Sequence, residues 1–282
     1  MPSLPIIFIL LILALSALAL LRSYQVRRSE HDKSIQGLHT LTLLIDIIKF
    51  TQQHRGLQAG LLNGQKIPLN ALLSLEKKIN THYAALSNNK TKIDKTILRF
   101  THKAQSQWQN ILKHPNQDIN KSFYQHSSVI QRLLDCLWDL ADEFSLTSHS
   151  NQNIQNLAND LVRTFPKLSE SIGQVRAITL QITNSKYCSA DKKLLLLFTL
   201  GKIQRELPLI QQKLHSDSYK KLSLFIEEIK ISVEDQALGN RNPEAFFADA
   251  STHMDVIFHY IQTGLVELKE QISSASRHTQ KR

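Results

Sequence analysis

The sequence predicts an all-α protein built as two tandem up-down four-helix bundles after an N-terminal transmembrane helix. Three observations predict it. Gly and Pro number eight and seven in 282 residues, so little in the chain breaks a helix. Apolar residues recur at intervals of three and four almost to the end, the period of helices that bury one face. The two halves also repeat: Gln53-His54-Arg55-Gly56-Leu57 in the first matches Gln174-Val175-Arg176-Ala177-Ile178 in the second.

The first element is residues 4–21, apolar apart from Pro5 and Ser16 and about long enough to cross a bilayer. A cleaved signal peptide is the alternative, with Ala17-Leu18-Ala19 as its small-x-small site. No Lys or Arg precedes the apolar run, however, whereas Arg22, Arg27, Arg28 and Lys33 follow it. That order favours an uncleaved anchor with its N-terminus outside and the body in the cytoplasm. The expectation is a single-pass protein of the inner (cytoplasmic) membrane.

Eight amphipathic helices follow, at residues 31–63, 67–86, 90–113, 117–148, 151–183, 189–214, 217–238 and 243–275. In the first, Leu38, Leu41, Ile45, Ile48, Gln52, Arg55, Ala59 and Leu62 form a core-facing stripe, so Arg55 falls where the pattern reserves a buried place. Gly64 suits the left-handed cap that ends this helix, and Pro68 suits the start of the next. His114-Pro115-Asn116 separates the third and fourth. Only Ser148 to Asn151 separates the fourth and fifth, without Gly or Pro, so one long helix there is an alternative. Arg176 lies one position beside the stripe Leu161, Leu168, Ile172, Val175 and Thr179, which points to an edge of the bundle. Pro243 opens the last helix. The first bundle spans 31–148 and the second 151–275, leaving 276–282 as a frayed basic tail.

The repeat extends to an aromatic pair, Phe123-Tyr124 in the fourth helix and Phe246-Phe247 in the eighth. The arginines are offset by 121 residues and the pairs by 123. Simple core packing accounts for such aromatics.

Composition narrows the function. The formal net charge of +10 favours anionic partners, but the basic residues are scattered. No basic arm, zinc-finger spacing or RNA-binding signature is present, so no nucleic-acid partner is expected. Cys136 and Cys188 form no metal or redox motif. There is no nucleophile elbow, phosphate-binding loop or His-Glu-x-x-His pair, so neither an enzyme nor a cofactor is expected. What remains is the arginine pair. A guanidinium offers a planar fork of donors to a planar oxyanion and keeps its charge when desolvated. His54 adjoins Arg55; Gln53 and Gln174 precede the arginines by two residues and rank lower, as does Arg241 before the last helix. The competing reading is that each Arg pairs with a buried carboxylate or reaches the bundle edge.

At these residues the chain resembles the nitrate- and nitrite-sensing domain family. The family's first-helix motif, like Gln-x-x-Arg-Gly-Leu-Ser-Ala-Gly-x-Leu, is matched from Gln52 to Leu62. A second segment resembles Ile172 to Ile178 and a closing one resembles Asn242 to Thr252. The resemblance implies a paired helical sensor that binds nitrate or nitrite through Arg55 and Arg176. His54 stands where some members carry a second adjacent Arg. Members usually carry a fused output module, and none is expected here, so an unidentified protein partner would read the signal. The sequence leaves room for a homodimer. The alternative function is a helical scaffold or adaptor at the membrane that has lost ligand binding.

Overall fold

A computed structural model describes residues 4–88 and 95–280, without the side chains of residues 4–7, 10, 27, 30, 95–98 and 275–280. Its helices are α1 (Leu4–Leu62), α2 (Leu69–Ser87), α3 (Lys95–Lys113), α4 (Ile119–Glu143), α5 (Gln152–Asn159), α6 (Phe165–Ser185), α7 (Ala190–Ile210), α8 (Ser216–Glu234) and α9 (Pro243–Gln280). A π-helical segment, Asp160–Thr164, joins α5 to α6, and a 3-10 turn covers Leu238–Asn240. No strand occurs among the described residues, in keeping with the expected all-α class.

α1 is one continuous helix of 59 residues, about 90 Å long, where two elements were expected. Residues 22–30 contain no Gly or Pro, so nothing stops the helix between the apolar start and the first core residues. Among the described residues no helix is long and apolar enough to cross a membrane. The span expected at residues 4–21 is instead the opening of α1, and within it the side chains of residues 4–7 and 10 lie outside the described set. The described side chains from Phe8 to Lys33 are exposed, apart from half-buried His31, and burial begins at Ser34.

From there the expected stripe is buried from Leu38 to Ala59, Arg55 included, and Leu43, Leu44 and Ile47 are buried as well. α1 is thus covered on more than one side. It packs on α2 and α4 in its own half and on α6 and α9 in the other. α6 is the matching central helix, packed on α7 and α9. Its residues from Val175 to Thr183 are all buried, which corrects the reading of Arg176 as an edge residue. A stripe one face wide describes a helix covered on one side only. α3 packs on α4 and α8 on α7, and a single hydrophobic core runs through both halves.

The ends follow local chemistry. Gly64 adopts φ 80°, and the Gln65 N–H donates back to the Gly60 carbonyl at 3.0 Å, closing α1 as a left-handed cap does. Lys186 ends α6 with φ 53°, one residue beyond the place that repeats Gly64 and without Gly. Asp118, Asn151 and Ser189 accept from N–H groups of the first turns of α4, α5 and α7, as N-caps should. α4 and α5 are separate helices. The chain turns at Ser145, with φ 57°, and Thr147 donates to the Asp142 carboxylate at 2.7 Å. A non-Gly left-handed residue made this break invisible to a search for Gly and Pro. The π-helical segment ends two residues before Pro166, which has no N–H to continue the regular ladder. At the other end, the α9 backbone stays helical to Gln280, past the expected start of the tail.

Candidate functional site

The two arginines meet where α1 and α6 pack together. Each lies over a glycine of the opposite helix. A Cβ added to Gly173 would stand 2.6 Å from Nη2 of Arg55, and one added to Gly56 would stand 2.7 Å from Nη2 of Arg176. Glycine therefore makes room for both guanidinium groups. The small residue facing Arg55 is Gly173, not the Ala177 that sequence matching would select.

Arg55 is 1 % exposed and already holds an anion. Its Nη1 donates to Oε1 of Glu170 at 2.7 Å and its Nη2 to Oε2 at 3.1 Å, a two-pronged pairing that suits both planar groups. Nη1 also donates to the Ser127 hydroxyl at 2.9 Å. Glu170 accepts two further bonds, from Nε2 of Gln52 at 3.0 Å and Nε2 of Gln174 at 2.9 Å. A buried carboxylate so fully satisfied is a stable counter-charge.

Arg176 is 3 % exposed and pairs with no carboxylate among the described residues. Its Nη1 donates to the Ser251 hydroxyl at 2.8 Å, its Nη2 to the Gln52 carbonyl at 3.0 Å, and its Nε has no partner. Burial, then the charge of Arg55, push its pKa down to about 10, which leaves it protonated at neutral pH. Counting back 121 residues from Glu170 gives Lys49, whose ammonium lies 5.5 Å from the Phe258 ring centroid. The position that repeats Glu170 thus carries a cation instead of a carboxylate. Gln52 ties the two systems together, because its amide holds Glu170 while its carbonyl holds Arg176.

Each guanidinium also lies over an aromatic ring. Arg55 is 5.5 Å from the Phe123 centroid and Arg176 is 4.7 Å from that of Phe247, distances at which the ring face attracts a cation. Phe123 with Ser127 on α4 therefore matches Phe247 with Ser251 on α9, an offset of 124 residues. The pairing of Phe123-Tyr124 with Phe246-Phe247 was out of register by one. These rings belong to the arginine sites rather than to core packing alone.

Two clefts repeat the same symmetry with different outcomes. One, of about 410 Å³, lies between α1, α2 and α9, with Arg176 in its wall beside Gln53, Phe247 and Ser251. The other, of about 710 Å³, lies between α4, α6 and α7 and is lined by Phe123, Tyr124 and Ile178. Arg55 is not in its wall.

The remaining candidates divide. Gln53 lines the Arg176 cleft, and Gln174 supports Glu170. His54 turns into the first-half core, edge-on to Trp108, with Nδ1 2.9 Å from Nε2 of His126. Nδ1 of His126 lies 2.7 Å from the Ser122 carbonyl, so it must donate there. Its Nε2 then accepts the His54 proton. Nε2 of His54 faces the Glu76 carboxyl at 3.4 Å. Burial and His126 lower the pKa of His54 to about 3. Burial chiefly lowers that of His126 to about 4, with the Ser122 bond opposing and Arg55 assisting. Both imidazoles are neutral at pH 7. Arg241 lies apart, on Ser232 and Glu228 at the end of α8. Sequence reasoning missed Glu170, Ser127, Ser251 and the role of Gln52. Glu170 sits six residues before Arg176 and belongs to the other arginine, so no local spacing points to it.

No family model matches the chain, and no curated protein matches it. Among solved structures, that of the NasR transcription antiterminator is similar in fold, with a TM-score of 0.73 at 15% identity, over 94% of this chain and 75% of that one.

Proposed function

We propose that the chain is a non-enzymatic sensor that binds one small oxyanion, nitrate or nitrite, at Arg176 and signals through a separate protein partner. The observation that carries this reading is a buried guanidinium without a carboxylate, opening onto a cleft. A buried charge of this kind is costly until an anion meets it. The motif resemblance from Gln52 to Leu62 supports nitrate or nitrite as the ligand. Arg55 contributes indirectly, through Gln52 and Glu170, and His54 supports the first-half core. A bound anion would draw together α1, α2, α6 and α9, which all border the cleft, and favour a closed packing over an open one. The continuous α1 would carry that shift toward its N-terminus. The exposed apolar side chains Phe8, Leu11, Leu15 and Leu18 support attachment of that end to a membrane, and the basic residues Arg22, Arg27, Arg28 and Lys33 after them favour a body on the cytoplasmic side.

A second reading, a membrane scaffold or adaptor without ligand, draws on the two-pronged pairing of Arg55 with Glu170. Calorimetric titration of the full chain with nitrate, nitrite and chloride separates the two. Saturable nitrate or nitrite binding that disappears in Arg176→Gln supports the sensor. Absence of binding at millimolar anion would falsify it and favour the scaffold.

A further inference from the structure

The Arg176 cleft is much larger than the anion assigned to it. Nitrate has four heavy atoms and fills the space of one or two waters, at ~30 Å³ each. The cleft holds about 410 Å³, within the range of roughly 300–1,000 Å³ typical of sites for organic ligands. Its walls are mostly apolar: Leu57, Ala71, Leu75, Met254 and Phe258 surround the polar end formed by Arg176 and Ser251. One charged anchor in an apolar cleft suits a ligand with a charged head and a hydrophobic body.

The charge count narrows the head group. Arg55 and Glu170 cancel each other across a contact of 2.7 Å. Lys78 and Asp255 also line the cleft, with opposite signs and exposed to solvent. The half-buried Lys49 ammonium lies against the Phe258 ring and is not in the cleft wall, which leaves Arg176 as the buried cation of the wall without a carboxylate partner among the described residues. A dianion would bring a buried charge with nothing to balance it.

We infer that the Arg176 cleft takes an organic monocarboxylate, its carboxylate on the guanidinium and an aromatic or branched body against Leu57, Leu75, Met254 and Phe258. This rests on the anion-sensor reading and extends its ligand class. The Phe247 ring attracts the guanidinium, whose central carbon lies 4.7 Å from its centroid. Ser251, on the same helix as Met254 and Phe258, fixes one of the donors. The head and body of one ligand would therefore bridge α6 to α9.

The test is titration of the full chain with benzoate and phenylacetate, beside acetate, nitrate and the neutral isostere benzamide. Benzoate or phenylacetate should bind at least about tenfold tighter than acetate, the scale set by apolar pocket contacts, and benzamide should not bind. Arg176→Gln should abolish carboxylate binding. Ala71→Trp, which fills the apolar part, should weaken benzoate by about tenfold or more and nitrate by much less. It also carries the test if Arg176→Gln fails to fold. Nitrate binding with benzoate no tighter than acetate overturns the inference and leaves the sensor reading standing. Binding of neither nitrate nor carboxylates overturns both. Tight benzoate binding that survives Ala71→Trp overturns the placement in this cleft.

Discussion

The two halves place an arginine, a serine and a phenylalanine in the same relation, yet they solve the problem of a buried cation in opposite ways. In the first, Arg55 meets Glu170 and its charge is spent inside the fold. In the second, Lys49 stands at the sequence position that repeats Glu170, and among the described residues Arg176 meets a hydroxyl, a carbonyl and a ring. One duplicated arginine thus has a carboxylate partner inside the fold, and the other has none among the described residues. The cores differ in the same way. His54 and His126 stack in the first half. At the matching offsets the second half has Val175 and Ala250, both buried and apolar.

The largest effect should come from breaking the internal ion pair. Arg55→Met strands the buried Glu170 carboxylate and should cost about 3–5 kcal/mol. Arg176→Met removes a charge with no carboxylate partner and should cost no more than about 1–2 kcal/mol without anion. Chemical denaturation of both variants measures the difference, and equal losses would remove the contrast between the sites.

Acid should act on the first half. Both buried imidazoles have pKa values below the ordinary 6.5, at about 3 and about 4. Between about 4 and 6.5 the unfolded chain therefore binds more protons than the folded one, and stability falls as pH drops through that window. At pH 5 the loss should be on the order of 2 kcal/mol for each histidine. The double variant His54→Val, His126→Ala copies the second half, and its melting temperature should lose less between pH 7 and pH 5 than that of the parent. An undiminished acid loss would show that the sensitivity resides elsewhere.

The glycines are next. Gly173→Ala pushes against Arg55 and Gly56→Ala against Arg176, each at about 1–3 kcal/mol. Gly173→Ala should cost more, because it also disturbs the ion pair, whereas Gly56→Ala should chiefly weaken anion binding in calorimetry. The smallest effects belong to the serines. Ser127→Ala and Ser251→Ala should each cost about 1 kcal/mol of stability, but only Ser251→Ala should alter affinity for the anion.

Much of this was legible in the sequence. The scarcity of Gly and Pro and the three-four spacing determined the helices, because helix period and helix breaking are local properties. Gly64, Pro68 and Pro243 marked ends for the same reason. Arg55 was expected in the core because its stripe includes it, and the repeat pointed to Arg176. The limits were also physical. The lack of Gly and Pro in residues 22–30 permitted an unbroken α1, but the change from an apolar to an amphipathic pattern read as two elements, and nothing local showed that Ser145 would adopt a left-handed turn. The aromatic register was misjudged by one residue, because only packing shows which ring lies beneath which guanidinium.

The sequence by itself determined that two arginines would be carried into a duplicated helical protein, since pattern and repetition are written along the chain. Only the tertiary structure decided which of them meets a carboxylate. Glu170 lies 115 residues from Arg55, and a charge is neutralised by what stands beside it in space.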